Sequence, residues 1–164
     1  MKHEHAHDAR CAVCAAGGNV GSVIDNQLLP MMVEHGYAVL GVSGHNSSSF
    51  SYTVGLTMMG WPELILLGKT EWSYRMLQIL VEYHRNMGRA PVEGDLTGVP
   101  MLDTMHPIRL HRCALDSKYP LTFAFDLFGY MTRALQVLIP DDDGKYPGDV
   151  GANKTWQVLL PSGL

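Results

Sequence analysis

Phe50-Ser51-Tyr52-Thr53-Val54-Gly55-Leu56-Thr57 is the stretch whose reading decides the fold. Phe50, Tyr52, Val54 and Leu56 alternate with Ser51, Thr53, Gly55 and Thr57. A β-strand turns successive side chains to opposite faces, so this period of two predicts a half-buried strand over 50–57. Upstream, 37–42 reads as a compact apolar strand, and Gly44-His45-Asn46-Ser47-Ser48-Ser49 as the polar loop between the two. Downstream, Gly60-Trp61-Pro62 turns the chain into an apolar strand over 63–67. Apolar strands joined by short connections favour antiparallel pairing.

Further out the rhythm becomes helical. Val23, Ile24, Leu28, Met31 and Met32 recur at helical spacing over 22–34, with Gly36 placed to cap the end and Pro30 to kink or split the helix. The best helix begins at Thr70. Its stripe is Trp72, Met76, Leu77, Leu80, Val81 and His84, and Gly88 ends it. Residues 92–115 hold two more strands, 121–131 an aromatic-rich helix, 133–139 a strand, and 156–160 a closing strand. Asp142-Asp143-Gly144 signals a hairpin turn. The expected fold class is therefore α+β: a mostly antiparallel sheet of about six strands, closure toward a barrel left open, packed by two or three helices.

Residues 1–19 differ in character, with His3, His5, His7, Cys11 and Cys14 but few large apolar side chains. They read as a flexible arm before a single domain over 20–164. The chain of 164 residues has the size of one domain with one core. Its net charge of −4, without a basic block, argues against a nucleic-acid role. The longest apolar run, Leu64 to Leu67, is far short of the roughly 20 residues of a membrane span. Three cysteines, two in a Cys-x-x-Cys pair, and no apolar secretory stretch fit a cytoplasmic protein of a bacterium or phage.

Several segments, in this order, resemble a bacterial family of domains of unknown function, number 4262. They are His35-Gly36-Tyr37-Ala38-Val39, the alternating stretch at 50–57, Pro62-Glu63-Leu64, Ala134-Leu135-Gln136-Val137, Pro140-Asp141 and Gly144-Lys145-Tyr146-Pro147. The Cys11-x-x-Cys14 pair is similar to one that often opens members. The resemblance departs at Tyr37, where the family commonly has tryptophan, and at Pro147-Gly148, where it commonly has Pro-Trp. It implies a fold and an order of elements, and no reaction.

The residues that carry chemistry are few. Cys11 and Cys14 have the spacing to share a zinc ion, with His7 and His35 among the histidines that would complete four ligands. A loose arm with two reduced thiols is the plainer reading, and redox chemistry the weakest, since no helix start lies between the cysteines. His111-x-Cys113 places two side chains on one strand face, a geometry for metal or nucleophile, with Asp103 or Asp116 as the orienting guess; a structural pair weighs more. His45, Ser48 and Ser49 sit in a loop of small and hydroxyl residues that can wrap a phosphate. Strand, Ser/Thr loop, strand, proline, apolar strand and helix resembles in pattern the flavin-reductase-like split barrels, which implies a flavin or other phosphorylated ligand at that loop.

Glu63 follows a proline in apolar surroundings and is a candidate ligand-site residue, a raised pKa fitting it for an acid or base, although pairing with Arg133 or capping a backbone N–H weighs more. Tyr52, Thr53 and Gln136 lie in the most specific segments, and any ligand site is expected beside them. Asp141, Asp142, Asp143 and Asp149 fail the EF-hand spacing and read as a hairpin turn with solvated acids. Of ten methionines, Met58 and Met59 stand with Trp61 in a turn, where an apolar patch indicates a homodimer or protein partner. The expected function is a binding or protein-interaction module, zinc at the arm being the one cofactor in view. The alternative is a split-barrel-like enzyme.

Overall fold

The computed structural model describes residues 20–42, 49–68, 70–99, 106–114, 121–153 and 157–163. Two short helices, α1 (Val20–Val23) and α2 (Leu29–His35), flank a π-helical turn, Ile24–Leu28. The widened turn is how the chain accommodates Pro30 at the start of α2. Proline cannot donate to the preceding turn, and the Leu29 N–H instead reaches back to the Ile24 carbonyl. Gly36, at φ 80°, caps α2 in the left-handed conformation.

Six strands follow: β1 (Ala38–Val42), β2 (Phe50–Val54), β3 (Glu63–Leu67), β4 (Gly94–Leu96), β5 (Ile108–Arg112) and β6 (Ala134–Leu138). The long helix α3 (Thr70–Asn86) follows β3, and α4 (Thr122–Phe128) precedes β6. The sheet order is β1-β2-β3-β6-β5-β4, and only the β3–β6 pair is parallel. The sheet is open: β1 and β4 are its two ends, so the closure that a split barrel implied is not formed.

The sheet is the middle of three layers. Phe50, Tyr52, Val54, Ile65 and Ala134 face one core with α1, α2 and α4; Val39, Leu64, Leu66, Val137 and Leu110 face another with α3. Leu77 and Leu80, at 0% exposure, bring the α3 stripe into that second core, each worth roughly 2 kcal/mol of burial. β2 is thus buried on both faces and not half-buried: Ser51 and Thr53 are covered, and the Ser51 hydroxyl meets that of Ser73 on α3 at 2.7 Å. Hydroxyls on the covered face imitate the polar side of an exposed strand.

β2 also stops at Val54, short of Thr57. Gly55 leaves the strand at φ 114°, and a 3₁₀ turn, Leu56–Met59, carries Leu56 to the α3 side. The helix read over 121–131 ends at Phe128, and Gly129–Met131 is 3₁₀.

Two further expectations fail, because the described chain after β6 forms no further strand. No strand forms over the described residues 157–160; the C-terminal segment joins the sheet by a single bridge, Cys113 to Ser162. Its place beside β6 is held by glutamines. The Gln136 amide donates to the Val158 carbonyl at 2.6 Å and accepts the Leu160 N–H at 2.8 Å. Gln157 accepts the Ile139 N–H and donates to the Leu67 and Val137 carbonyls. The turn after β6 leads into no paired strand, although main-chain bonds close it, from the Asp141 N–H to the Lys145 carbonyl and from the Gly144 N–H to the Asp141 carbonyl. Asp141 gathers it by accepting the N–H groups of Asp143, Lys145 and Asn153, and these bonds hold its carboxyl below the usual aspartate range.

Candidate functional site

Among the described residues, the polar side chains around Glu63 form a closed knot, and those beside Tyr37 line an open cleft. The knot is Glu63, fully buried where β3 begins. Its carboxylate accepts four hydrogen bonds: the Thr53 hydroxyl at 2.7 Å, the Gly55 N–H at 3.0 Å, the Thr57 N–H at 2.9 Å and the Thr57 hydroxyl at 2.8 Å. Thr53 in turn accepts the Leu64 N–H. Loss of water pushes the Glu63 pKa up, against the pull of its four donors. Arg133 does not reach it: that guanidinium donates to the Gly60 carbonyl. Glu63 therefore closes the β2–β3 connection, taking the N–H groups that the Gly55 turn removes from the ladder.

The cleft lies where α2 ends, β1 begins and α3 passes. Met31, His35, Tyr37, Val39, Gln78, Glu82 and Arg85 line about 310 Å³. Tyr37 is the floor. The Arg85 guanidinium lies 4.9 Å from its ring centroid, within cation–π range. Burial, then the neighbouring Glu82 carboxylate, push the Tyr37 hydroxyl up to about 12, partly offset by Arg85. Arg85 also donates to Glu82 at 3.3 Å and to the His35 carbonyl, one of the acceptors that the end of α2 leaves open. Gly36 permits this approach, since a Cβ there would stand 2.6 Å from Nη2 of Arg85. A donor-rich cation, a carboxylate, an amide and an imidazole thus ring an aromatic floor.

Gln78, Glu82 and Arg85 are absent from the residues that the sequence singles out. The signal was their i, i+4, i+7 spacing along one flank of the α3 stripe, which reads equally as a solvated helix face. His35, expected as a metal ligand, stands at the cleft with its ring 3.7 Å from Glu34. Cys11, Cys14, His7, His45 and Ser48 lie outside the described residues, as do Asp103 and Asp116. Among the described residues no group of three or more His, Cys, Asp or Glu gathers as a metal site would.

The other expected ligand residues are dispersed. Ser49 accepts the Gly68 N–H through its carbonyl. Tyr52 is buried, its hydroxyl accepting the Phe123 N–H, and burial raises its pKa. Thr53 and Glu63 belong to the knot, and Gln136 holds the C-terminal segment. His111 faces Glu93 at 3.6 Å, while Cys113 is buried and its thiol is pushed up to about 11, which keeps it protonated near neutrality. Met58 is 69% exposed and Met59 39%, beside a half-buried Trp61.

No helix among the described residues is long and apolar enough to cross a membrane. No curated protein and no solved structure matches the chain significantly. A family model does, over residues 31–153, a span that includes the whole knot and every residue lining the cleft. On that match the chain belongs to the family described as "Domain of unknown function (DUF4262)".

Proposed function

We propose that this domain is a binding module whose ligand site is the cleft between α2, β1 and α3. The observation that carries the reading is the contrast in hydrogen bonding. Glu63, Gln136 and Gln157 are buried and saturated by the fold itself, whereas Gln78, Glu82 and Arg85 converge beside an aromatic floor at an opening. A concave site with apolar walls and a few convergent polar groups is the usual form of a small-molecule site. A small-fragment screen by amide NMR tests it. Hits should move the amides of 31–39 and 78–85, and a screen without hits there ends the reading.

A protein-interaction role has separate support. Arg133 binds the Gly60 carbonyl, and the Glu63 N–H binds the Arg133 carbonyl, which joins the turns on either side of the β3–β6 pair. Met58, Tyr130 and Met131, exposed by 69%, 95% and 58%, therefore share one end of the sheet near Trp61. A homodimer or protein partner is the reading for this end. Molar mass measured against concentration, for the wild type and for Met58→Ser with Tyr130→Ser, tests the homodimer; identical monomers remove it.

A further inference from the structure

We infer that the cleft takes a small uncharged planar molecule with an amide-type edge, such as the lactam of a heterocyclic base. This deepens the binding reading and rests on it. The charge at the site comes as a contact pair, Arg85 to Glu82 at 3.3 Å. An anion drawn to Arg85 meets Glu82 at once, and a cation drawn to Glu82 meets Arg85. A neutral group that presents an acceptor beside a donor satisfies both together. Its carbonyl takes an N–H of Arg85, which has more donors than its two existing bonds use, and its N–H goes to the Glu82 carboxylate, which has acceptor capacity beyond the bonds from Arg85 and the Tyr37 hydroxyl. The Gln78 amide, one turn earlier on α3, offers the same complementary pair again.

The walls suit a ring. Tyr37 and Val39 give a rigid apolar floor, and Met31 is a pliable side. At about 310 Å³ the cleft is near the lower end for ligand sites, sized for one ring system. A net charge of −4 disfavours the same base carried on a polyanion.

The test is an NMR titration of the whole chain with four probes of similar ring size: uracil, hypoxanthine, benzoate and benzamidine. Uracil and hypoxanthine should shift the amides of Tyr37, Val39, Gln78, Glu82 and Arg85, and the two charged probes should not. Glu82→Gln should weaken the neutral probes by roughly tenfold or more and admit benzoate. Arg85→Gln should weaken them similarly and admit benzamidine, each variant keeping the wild-type spectrum elsewhere. A charged probe binding the wild-type cleft better than the neutral ones overturns the ligand class and leaves the cleft a binding site. Neutral binding indifferent to both substitutions overturns the class as well. An oligo-uridylate that binds the cleft tighter than uracil overturns the free-molecule assignment. If no probe moves these amides, the ligand class is overturned, and the fragment screen alone decides whether the cleft binds at all.

Discussion

Glu63 and Glu82 are carboxylates in the same domain with opposite surroundings. Glu63 has no exposed surface, and two hydroxyls and two backbone N–H groups close on it. Glu82 is 54% exposed, paired with an arginine that is itself 29% exposed. The first is fixed by the chain's own turn, since the donors that Gly55 and Thr57 free from the ladder require an acceptor. The second is held by two other side chains, Arg85 and the Tyr37 hydroxyl, and lines an opening. Buried polar groups that the backbone satisfies define the fold; those satisfied by side chains at a cleft are available to a ligand.

The largest effect is expected at the knot. Glu63→Ala leaves four donors without their acceptor and should lower unfolding stability by on the order of 4 kcal/mol in urea titration. Glu63→Gln keeps the oxygen that takes three of those bonds and should lose much less. The two also differ in pH response. Burial raises the Glu63 pKa, so the fold holds that proton more tightly than the open chain does. The stability so contributed is fully present below the ordinary glutamate range and is lost as pH rises through the raised value. Wild type should therefore gain on Glu63→Gln as the solution is acidified; a constant difference contradicts the burial argument.

Gly55 ties the knot to the cleft. At φ 114° it gives its N–H to Glu63, and a Cβ there would lie 3.1 Å from the Gly36 carbonyl and from Cα of Tyr37. Gly55→Ala should cost roughly 2–3 kcal/mol, from strain and crowding together. It should also disturb the Tyr37 floor. Gln157→Ala, which strands the Ile139 N–H far from the cleft, should cost about 2 kcal/mol with the Tyr37 and Arg85 amide signals unmoved. Equal disturbance of the floor in both variants erases the link between knot and cleft.

His84 supplies a smaller effect of the opposite pH sign to Glu63. It is buried in the α3 stripe with Nδ1 3.3 Å from the Arg89 carbonyl, and Nε2 has no partner among the described residues. Burial lowers its pKa from 6.5, so its contribution to stability is present above that value and declines as pH falls toward the lowered one. His84→Leu should flatten the stability profile just below 6.5, and an unchanged slope there assigns the loss to other groups.

Much of the fold was legible because alternation and helical stripes record which faces are covered. Phe50, Tyr52 and Val54 do share a core, and Met76, Leu77, Leu80 and Val81 pack against the sheet as their spacing predicts, whereas Trp72, read as the start of that stripe, is 44% exposed on the first turn of the helix. The parallel β3–β6 pair was not legible. Glu63–Leu67 and Ala134–Leu138 are buried throughout, and a strand covered on both faces carries no sign of direction or neighbour. The C-terminal segment misled because glutamine side chains make the bonds that a strand would make. The N–H cap was one of the readings open to Glu63, beside an acid or base and a pair with Arg133, because its proline and apolar setting mark burial and not the donors that meet it. The cleft was not readable: Gln78, Glu82 and Arg85 become a wall only because Tyr37 and His35, from another part of the chain, stand opposite them.

The smallest stability effect is expected where the functional effect is greatest. The Arg85–Glu82 pair is partly solvated, and such pairs contribute about 0–1 kcal/mol. Arg85 adds a hydrogen bond to the His35 carbonyl at the end of α2, so Arg85→Ala should cost about 1 kcal/mol in urea titration and Glu82→Gln less. If the domain's work lies in the cleft, these mild variants should weaken the neutral fragments that shift 31–39 by roughly tenfold or more, while the less stable Gln157→Ala binds them as the wild type does under folding conditions. The comparison breaks if loss of binding tracks loss of stability across the set, because the cleft would then be only another part of the core. It holds if the two orders are reversed, since only a site distinct from the framework can lose its ligand while keeping its fold.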